Sequence, residues 1–484
     1  MWPVLVFCVF LAWWYLKIKV KTKQPPDHPG GWFGNTLYMG VLQESLWVKV
    51  ERLSEECNKH GGVTRLLVGP FTYYVITDPD AILNVMNVAL DKGVFYRFWD
   101  RWLGDGAVVA SAEVWKPHRK LLNPMFNQHI LEDYLQIFNS QARRIVELLS
   151  KEAGKGQFDP LPALALVNME TICLTFFGFK EEESILKDYS DAVHELNRIT
   201  RQRFVRFWLH SYHVYRWTQL KKKEDRCLET VHGISSKLIE KRKIMLAKIK
   251  HFGKESQISE TNTKKSFIDM LLERQEEKLY TEKQVREEID TFFFGGHDST
   301  ATTLSYILVV LGTYPHVVEK VYAEVKQVLG DAEIVTKDDL PKLVYTEAVI
   351  KECMRLYPFA PFVSRMIHTD IKHKDYTLSA GSTLFFLFKG VHRHPVWGPD
   401  ADQYRPERWL DPATLPEHTA AFASFSWGRR SCIGKTYAMM LMKTTVAYLV
   451  RHLTFTGDHT KLRFELDVVL KPLCGNLISV EKRL

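Results

Sequence analysis

Cys432 lies in the segment Phe425-Ser-Trp-Gly-Arg-Arg-Ser-Cys-Ile-Gly434, where Phe425, Gly428, Arg430, Cys432 and Gly434 follow the spacing F-x-x-G-x-R-x-C-x-G. This set suits a thiolate ligand of haem iron. The glycines allow backbone to turn sharply beneath a flat macrocycle. Arg430 can offer a cation to a haem carboxylate. The apolar run from Ile433 to about Leu453 reads as a helix with Cys432 near its N-terminus. Free amides and the helix dipole there favour a thiolate over a thiol. A thiolate pushes electron density onto iron and favours O–O cleavage.

A second chemical stretch is Phe292-Phe-Phe-Gly-Gly-His-Asp-Ser-Thr-Ala-Thr-Thr303. Glycines in mid-helix cost about 1 kcal/mol each relative to alanine. Beside a haem face, Gly295 and Gly296 would leave room for dioxygen and substrate. Asp298, Ser299 and Thr300 could disturb the helix ladder and pass protons. Trp115 and Arg119 are one helical turn apart, so both can reach one haem carboxylate. Glu352 and Arg355 likewise share a helix face.

The elements that must position these groups are mostly helical. Helical patterns fall near 114–125, 131–151, 162–177, 185–200 and 225–249. The longest runs from Thr281, which forms a capping box with Gln284, to Tyr314, and Pro315 stops it. Residues 62–78 read as a β-hairpin turning at Gly69-Pro70. Strand-like segments recur at 365–369, 375–387 and near the C-terminus. The aromatic stretch 95–102 and residues Phe359 to Val363 are candidate substrate contacts.

The chain has 484 residues, 46% of them apolar, and no linker that divides it, so one large domain is expected. The polar break at 251–265 reads as a surface loop. Seven scattered cysteines do not form a disulfide framework and fit a reducing compartment. The net charge of +8, from 65 basic and 57 acidic residues, suits an acidic protein partner or an anionic membrane face; no nucleic-acid motif accompanies it. Trp2 to Leu16 carries no charge and is followed by Lys17, Lys19 and Lys21. Residues 1–20 therefore read as a membrane anchor, with the remainder on the cytoplasmic side. Residues 21–31 read as a Pro/Gly-rich hinge, and 32–484 as a single catalytic domain. The basic and aromatic run 201–217 reads as a lid resting on the membrane.

On the motif around Cys432, the Gly295–Thr300 stretch, the Glu352/Arg355 pair and Pro406-Glu-Arg-Trp409, the chain resembles the cytochrome P450 family over nearly its whole length. The resemblance implies a mainly α fold with small peripheral β-sheets and an N-terminal membrane anchor. It makes Cys432 the axial ligand of haem iron and places Phe425, Gly428, Arg430 and Gly434 around the haem. It gives Trp115, Arg119 and Arg365 roles at the haem carboxylates. Arg408 would join Glu352 and Arg355 in a structural cluster. Ser299 stands where the family usually has threonine, so Thr300 could share the relay with Asp298. The Gly-His-Asp core is similar to the microsomal family-4 group, insect enzymes included. Many such relatives carry at the Gly295 slot a glutamate that can be esterified to haem; glycine cannot, so haem b would be held non-covalently.

The expected activity is insertion of one oxygen atom into an apolar fatty acid, hormone or xenobiotic at the endoplasmic reticulum membrane. Electrons would come from NADPH through a separate NADPH–cytochrome P450 reductase, with cytochrome b5 as an additional donor, since the chain has no dinucleotide fingerprint. Two alternatives remain at this level: a reductase-independent haem-thiolate isomerase or dehydratase, and a non-catalytic lipid-binding haem protein.

Overall fold

A computed structural model describes residues 22–28, 45–68, 71–252 and 265–483. The expected anchor at 1–20, the Gly69-Pro70 turn and most of the 251–265 break lie outside the described residues. The main helices are α1 (Leu46–Lys59), α2 (Pro79–Met86), α3 (Ala112–Leu122), α4 (Leu135–Ser150), α5 (Leu161–Ile172), α6 (Glu183–Val205) and α7 (Gln219–Phe252). They continue with α8 (Phe267–Glu276), α9 (Glu282–His297), α10 (Ser299–Thr313), α11 (Pro315–Leu329), α12 (Val344–Leu356) and α13 (Lys435–His452). Every helix expected from periodicity is present, with ends shifted by a few residues.

The principal sheet has the order β1-β2-β7-β4-β3, from β1 (Val63–Val68), β2 (Phe71–Ile76), β3 (Asp91–Lys92), β4 (Phe362–Met366) and β7 (Thr383–Leu387). β1 and β2 form the expected antiparallel hairpin, and β7 lies parallel to β2. The expected strand at 365–369 starts earlier, at Phe362. The expected run 375–387 splits between β7 and β6 (Tyr376–Leu378), which pairs with β5 (Ile371–His373) in a separate hairpin. β8 (Leu453–Gly457) pairs with β11 (Ile478–Lys482), and β9 (Phe464–Leu466) with β10 (Leu470–Pro472).

The long helix expected from Thr281 to Tyr314 is two helices, α9 and α10, that meet at Asp298. Its start is as read: Thr281 and Gln284 form a reciprocal capping box. Asp298 still lies in the right-handed helical region, at φ −101° and ψ −30°, but interrupts the hydrogen-bond ladder. The freed carbonyls of Gly296 and His297 accept from the Asn168 side-chain amide of α5, at 2.8 Å and 2.5 Å. The Ser299 hydroxyl donates back to the Gly295 carbonyl at 2.9 Å, a bond that bends helices. Beyond the break, α10 is buried on every side from Thr300 to Gly312, which makes it the axis of the core.

Among the described residues no single helix is long and apolar enough to cross a membrane. A pair bent by 111°, Glu282–Thr313 with Pro315–Leu329, passes by length and composition, but it contains the core helix α10. Residues 22–28, read as hinge, are docked rather than free. Arg65 of β1 holds Asp27 in a two-pronged ion pair, and the Arg65 backbone bonds Pro26 and His28. Thr377 N donates to Lys23 O at 2.9 Å, and the Tyr74 hydroxyl donates to Gln24 at 2.5 Å.

Candidate active site

The Cys432 loop is closed by its own backbone, because Cys432 N donates to Phe425 O at 2.8 Å. Gly428 sits at φ +73°, and a Cβ there would lie 2.9 Å from the Met86 carbonyl oxygen, so only glycine fits. Gly434 has an ordinary φ of −81° and caps α13; a Cβ on it would come within 3.8 Å of Cys432 Sγ. The helix thus starts at Lys435, two residues later than the apolar run suggested. Cys432 is open to water-sized molecules, yet it lies deep among protein atoms, so it faces an internal gap and not bulk solvent. Burial pushes the Cys432 thiol up, while the Gly434 amide, Arg119 and Lys435 pull it down. Burial thus works against the helix-dipole argument for a ready thiolate. Iron would supply the missing charge, since metal binding deprotonates a thiol.

The residues expected at the haem carboxylates contact one another and the cysteine loop. Trp115 is buried, and Arg430 stacks over its ring at 4.4 Å. Arg430 also donates to the carbonyls of Leu90, Ala107 and Ala110. Arg119 donates to the Ser431 carbonyl at 3.0 Å and to Asn123 at 2.7 Å. Trp115 thus braces Arg430, and Arg119 braces the cysteine loop. Arg365 is different. It is 0% exposed, its Nη1 donates only to its neighbour's carbonyl at Ser364, and its Nε and Nη2 have no hydrogen-bond partner.

Lys92, missed in the sequence, stands beside it. Burial, then Arg365 and Arg430, hold the Lys92 ammonium well below the ordinary lysine range. Burial, with Arg365 and Arg119 against the opposing pull of Asp91 and Tyr96, brings Arg430 down to about 9. Asp91 is already engaged by Ala112 N at 2.7 Å and His368 at 3.0 Å. The Lys92 ammonium lies over the Tyr96 ring at 4.6 Å, so the orphaned N–H groups of this cluster are those of buried Arg365, and they call for an anion. The two carboxylates of a haem fit that requirement. No signal marks Lys92 in the sequence, because a lone lysine before an aromatic run resembles any surface lysine.

Glu352, Arg355 and Arg408 form one cluster, each at most 1% exposed. Arg355 grips Glu352 through two bonds of 2.9 Å and 2.8 Å, and Arg408 Nε adds a third at 2.9 Å. The cluster reaches the cysteine loop through His392. Its Nδ1 donates to the Arg355 carbonyl at 2.9 Å, and its Nε2 accepts from Ala423 N at 3.0 Å, which together fix the tautomer. The Ser424 hydroxyl adds a bond of 3.0 Å to the Met354 carbonyl of α12.

On the other side, Gly295 has open space where a Cβ would be, whereas Gly296 packs against Ile172. Asp298 is buried; burial raises its carboxyl, but His194, His297 and Lys471 outweigh that and hold it far below the usual carboxylate range. His194 Nε2 lies 3.4 Å and Lys471 Nζ 3.9 Å from Asp298 Oδ2. The Thr302 hydroxyl donates to Oδ1 at 3.4 Å, and Thr300, two residues after Asp298, is buried. Phe95 packs against Phe204 of α6 at 4.5 Å and Phe385 of β7 at 5.9 Å around an aromatic crevice of about 70 Å³. Phe204 and Phe385 were not expected there.

A family model described as Cytochrome P450 matches residues 24–477, which covers both the Cys432 loop and the α9–α10 break. The chain belongs to the cytochrome P450 family. Mouse "Cytochrome P450 4V2" is 30% identical over 93% of this chain and 88% of its own length. Drosophila melanogaster "Probable cytochrome P450 4s3" is 32% identical over 84% of this chain and 82% of its own length. Drosophila "Cytochrome P450 4d2" is 28% identical over 99% and 98%. As a cytochrome P450 the chain is an oxidoreductase of the monooxygenase class, with haem iron as the family's cofactor.

Proposed function

We propose that this chain is a membrane-anchored haem-thiolate monooxygenase that oxygenates an apolar organic substrate with electrons from NADPH through a separate reductase. The observations that support this reading are a glycine-closed cysteine loop and, at Arg365, a fully buried guanidinium with two nitrogens that lack a hydrogen-bond partner, next to Lys92. Cys432 would hold the iron, and Arg365 and Lys92 the carboxylates. Haem, when bound, supplies reductive activation of dioxygen. The chain's own residues do the rest. Gly295 leaves space over the reacting face and offers no carboxylate for an ester, so haem would be released by acidic organic extraction. Asp298, buried and kept ionised, would order the Ser299 and Thr300 hydroxyls and the His194 imidazole as a path along which protons move inward. Phe95, Phe204 and Phe385 exclude water and select apolar ligands.

At about 70 Å³ the aromatic crevice is a throat rather than a substrate chamber, so α6 and the 95–102 stretch must part to admit ligand. The segment after α6 exposes Phe207, Trp208, Tyr212 and Trp217, the last at 81%, among arginines and lysines. That pattern supports a membrane-facing lid at the throat. Exposed Arg429 and Lys435 flank the cysteine loop, on the face where an acidic reductase would dock. We read the substrate class as fatty acids, hormones or xenobiotics and the location as the endoplasmic reticulum membrane.

The test is NADPH consumption with a reductase and a panel of lipids and xenobiotics. Oxygenated product in step with NADPH use supports the reading. Conversion of substrate without NADPH or dioxygen would instead support an isomerase or dehydratase.

A further inference from the structure

We propose that His194, His297 and Asp298 form a divalent transition-metal site of zinc type, and that a metal bound there closes access to Asp298. One ligand atom from each of His194, His297 and Asp298 lies within 4.8 Å of the other two. His194 Nε2, His297 Nε2 and Asp298 Oδ2 are each sealed from water and lack a hydrogen-bond partner, although His194 Nε2 and Asp298 Oδ2 approach to 3.4 Å. His297 and Asp298 are only 2% and 7% exposed. Buried polar atoms are nearly always partnered. Three orphans that converge share one missing partner.

Their chemistry specifies it. The Nδ1 of His297 lies 3.0 Å from the Phe294 carbonyl, which can only accept. The ring proton is therefore on Nδ1, and Nε2 presents a lone pair; a carbonyl-oriented imidazole is the usual support of a metal-ligating histidine. Two imidazoles with one carboxylate favour zinc and its transition-metal neighbours over magnesium or calcium. Tetrahedral ligands 2.0–2.2 Å from zinc stand roughly 3.4 Å apart. His194 and Asp298 already have that spacing, and His297, the last residue of α9, needs only to swing inward at the helix break. The His194 side chain is 39% exposed although its Nε2 is covered, so metal can enter from its solvent side. Lys471 competes, with its ammonium 3.9 Å from Asp298 Oδ2 on a side chain that is 22% exposed.

Binding is tested on the haem-loaded full-length protein by equilibrium dialysis against micromolar Zn²⁺ in a weakly coordinating buffer, with bound metal counted by mass spectrometry. One site is expected whose affinity falls roughly tenfold or more in His194→Ala and in His297→Ala. Lys471→Gln should tighten it, and His213→Ala, on an exposed histidine, should leave it unchanged. The reduced carbon monoxide spectrum checks that each variant is intact; should His297→Ala fail to load haem, the His194 and Lys471 variants carry the test. Equal zinc affinity in wild type and His194→Ala, or no zinc retained by wild type, overturns the site. Closure of access, though not binding, rests on reading Asp298 as the proton-handling group. Product formation should fall in proportion to zinc occupancy. Zinc bound as described with turnover unchanged would overturn that closure and the reading of Asp298, and leave the metal site standing.

Discussion

Asp298 is a carboxylate that burial should protonate and that His194, His297 and Lys471 keep ionised. A group so held keeps its charge and can order a chain of hydrogen-bonded hydroxyls around it. Asp298→Asn keeps the size and removes the charge, so haem content should persist while turnover slows by roughly 10²-fold or more and peroxide release rises. Unchanged product-to-NADPH coupling in this variant contradicts the relay. A second residue-level expectation concerns Arg365 and Lys92. With the orphaned Arg365 N–H groups and the neighbouring Lys92 ammonium serving haem carboxylates, Arg365→Gln and Lys92→Gln should each lose haem faster than wild type to apomyoglobin, and the double variant fastest. Equal loss rates would assign these cations to structure alone. At this scale the sequence shows what is local. Cys432, Gly428 and the Glu352/Arg355 pair were legible because their spacing is short and each position has one physical use. Lys92, His194, Asn168 and Lys471 were not, because each acts across a long sequence separation and is ordinary in its own neighbourhood.

The break between α9 and α10 exists because Asn168 satisfies what the break exposes. Asn168→Ala would leave the Gly296 and His297 carbonyls without their partner, at a cost of about 1–3 kcal/mol. Thermal unfolding of the haem-loaded protein should shift downward accordingly, and Asn168→Asp, which cannot donate, should not rescue it. No shift in either variant would mean that the break stands without Asn168. The capping box and Pro315 marked both ends of this helical stretch in the sequence; the break was hidden because its partner lies on α5. The docking of residues 22–28 was hidden in the same way, since Asp27 meets Arg65 only in the fold. A chain lacking residues 1–21 should therefore fold and bind anionic vesicles in part through the aromatic segment 207–217. A chain lacking residues 1–28 frees Arg65 and should be less stable. Equal stability of the two truncations, or a complete lack of vesicle binding by the first, would contradict these element-level assignments.

At the scale of the whole molecule, one line of contacts joins the core to the chemistry. Glu352 holds Arg355 and Arg408, Arg355 holds His392, and His392 holds Ala423 just before the cysteine loop. The mainly helical architecture was legible from periodicity, because helix faces must match a core. The sheet order was not, since β7 joins β2 from more than 300 residues away along the chain. The central claim is that the chain holds haem with Cys432 as its thiolate ligand. The most direct measurement is the absorption spectrum of the dithionite-reduced, haem-loaded protein under carbon monoxide. Wild type should show the red-shifted band that thiolate donation produces, and so should Cys57→Ala, Cys173→Ala, Cys227→Ala, Cys353→Ala and Cys474→Ala. In Cys432→Ala the band and all oxygenation should be lost, because no electron push remains for O–O cleavage. Persistence of the band in Cys432→Ala at full haem occupancy would contradict the account.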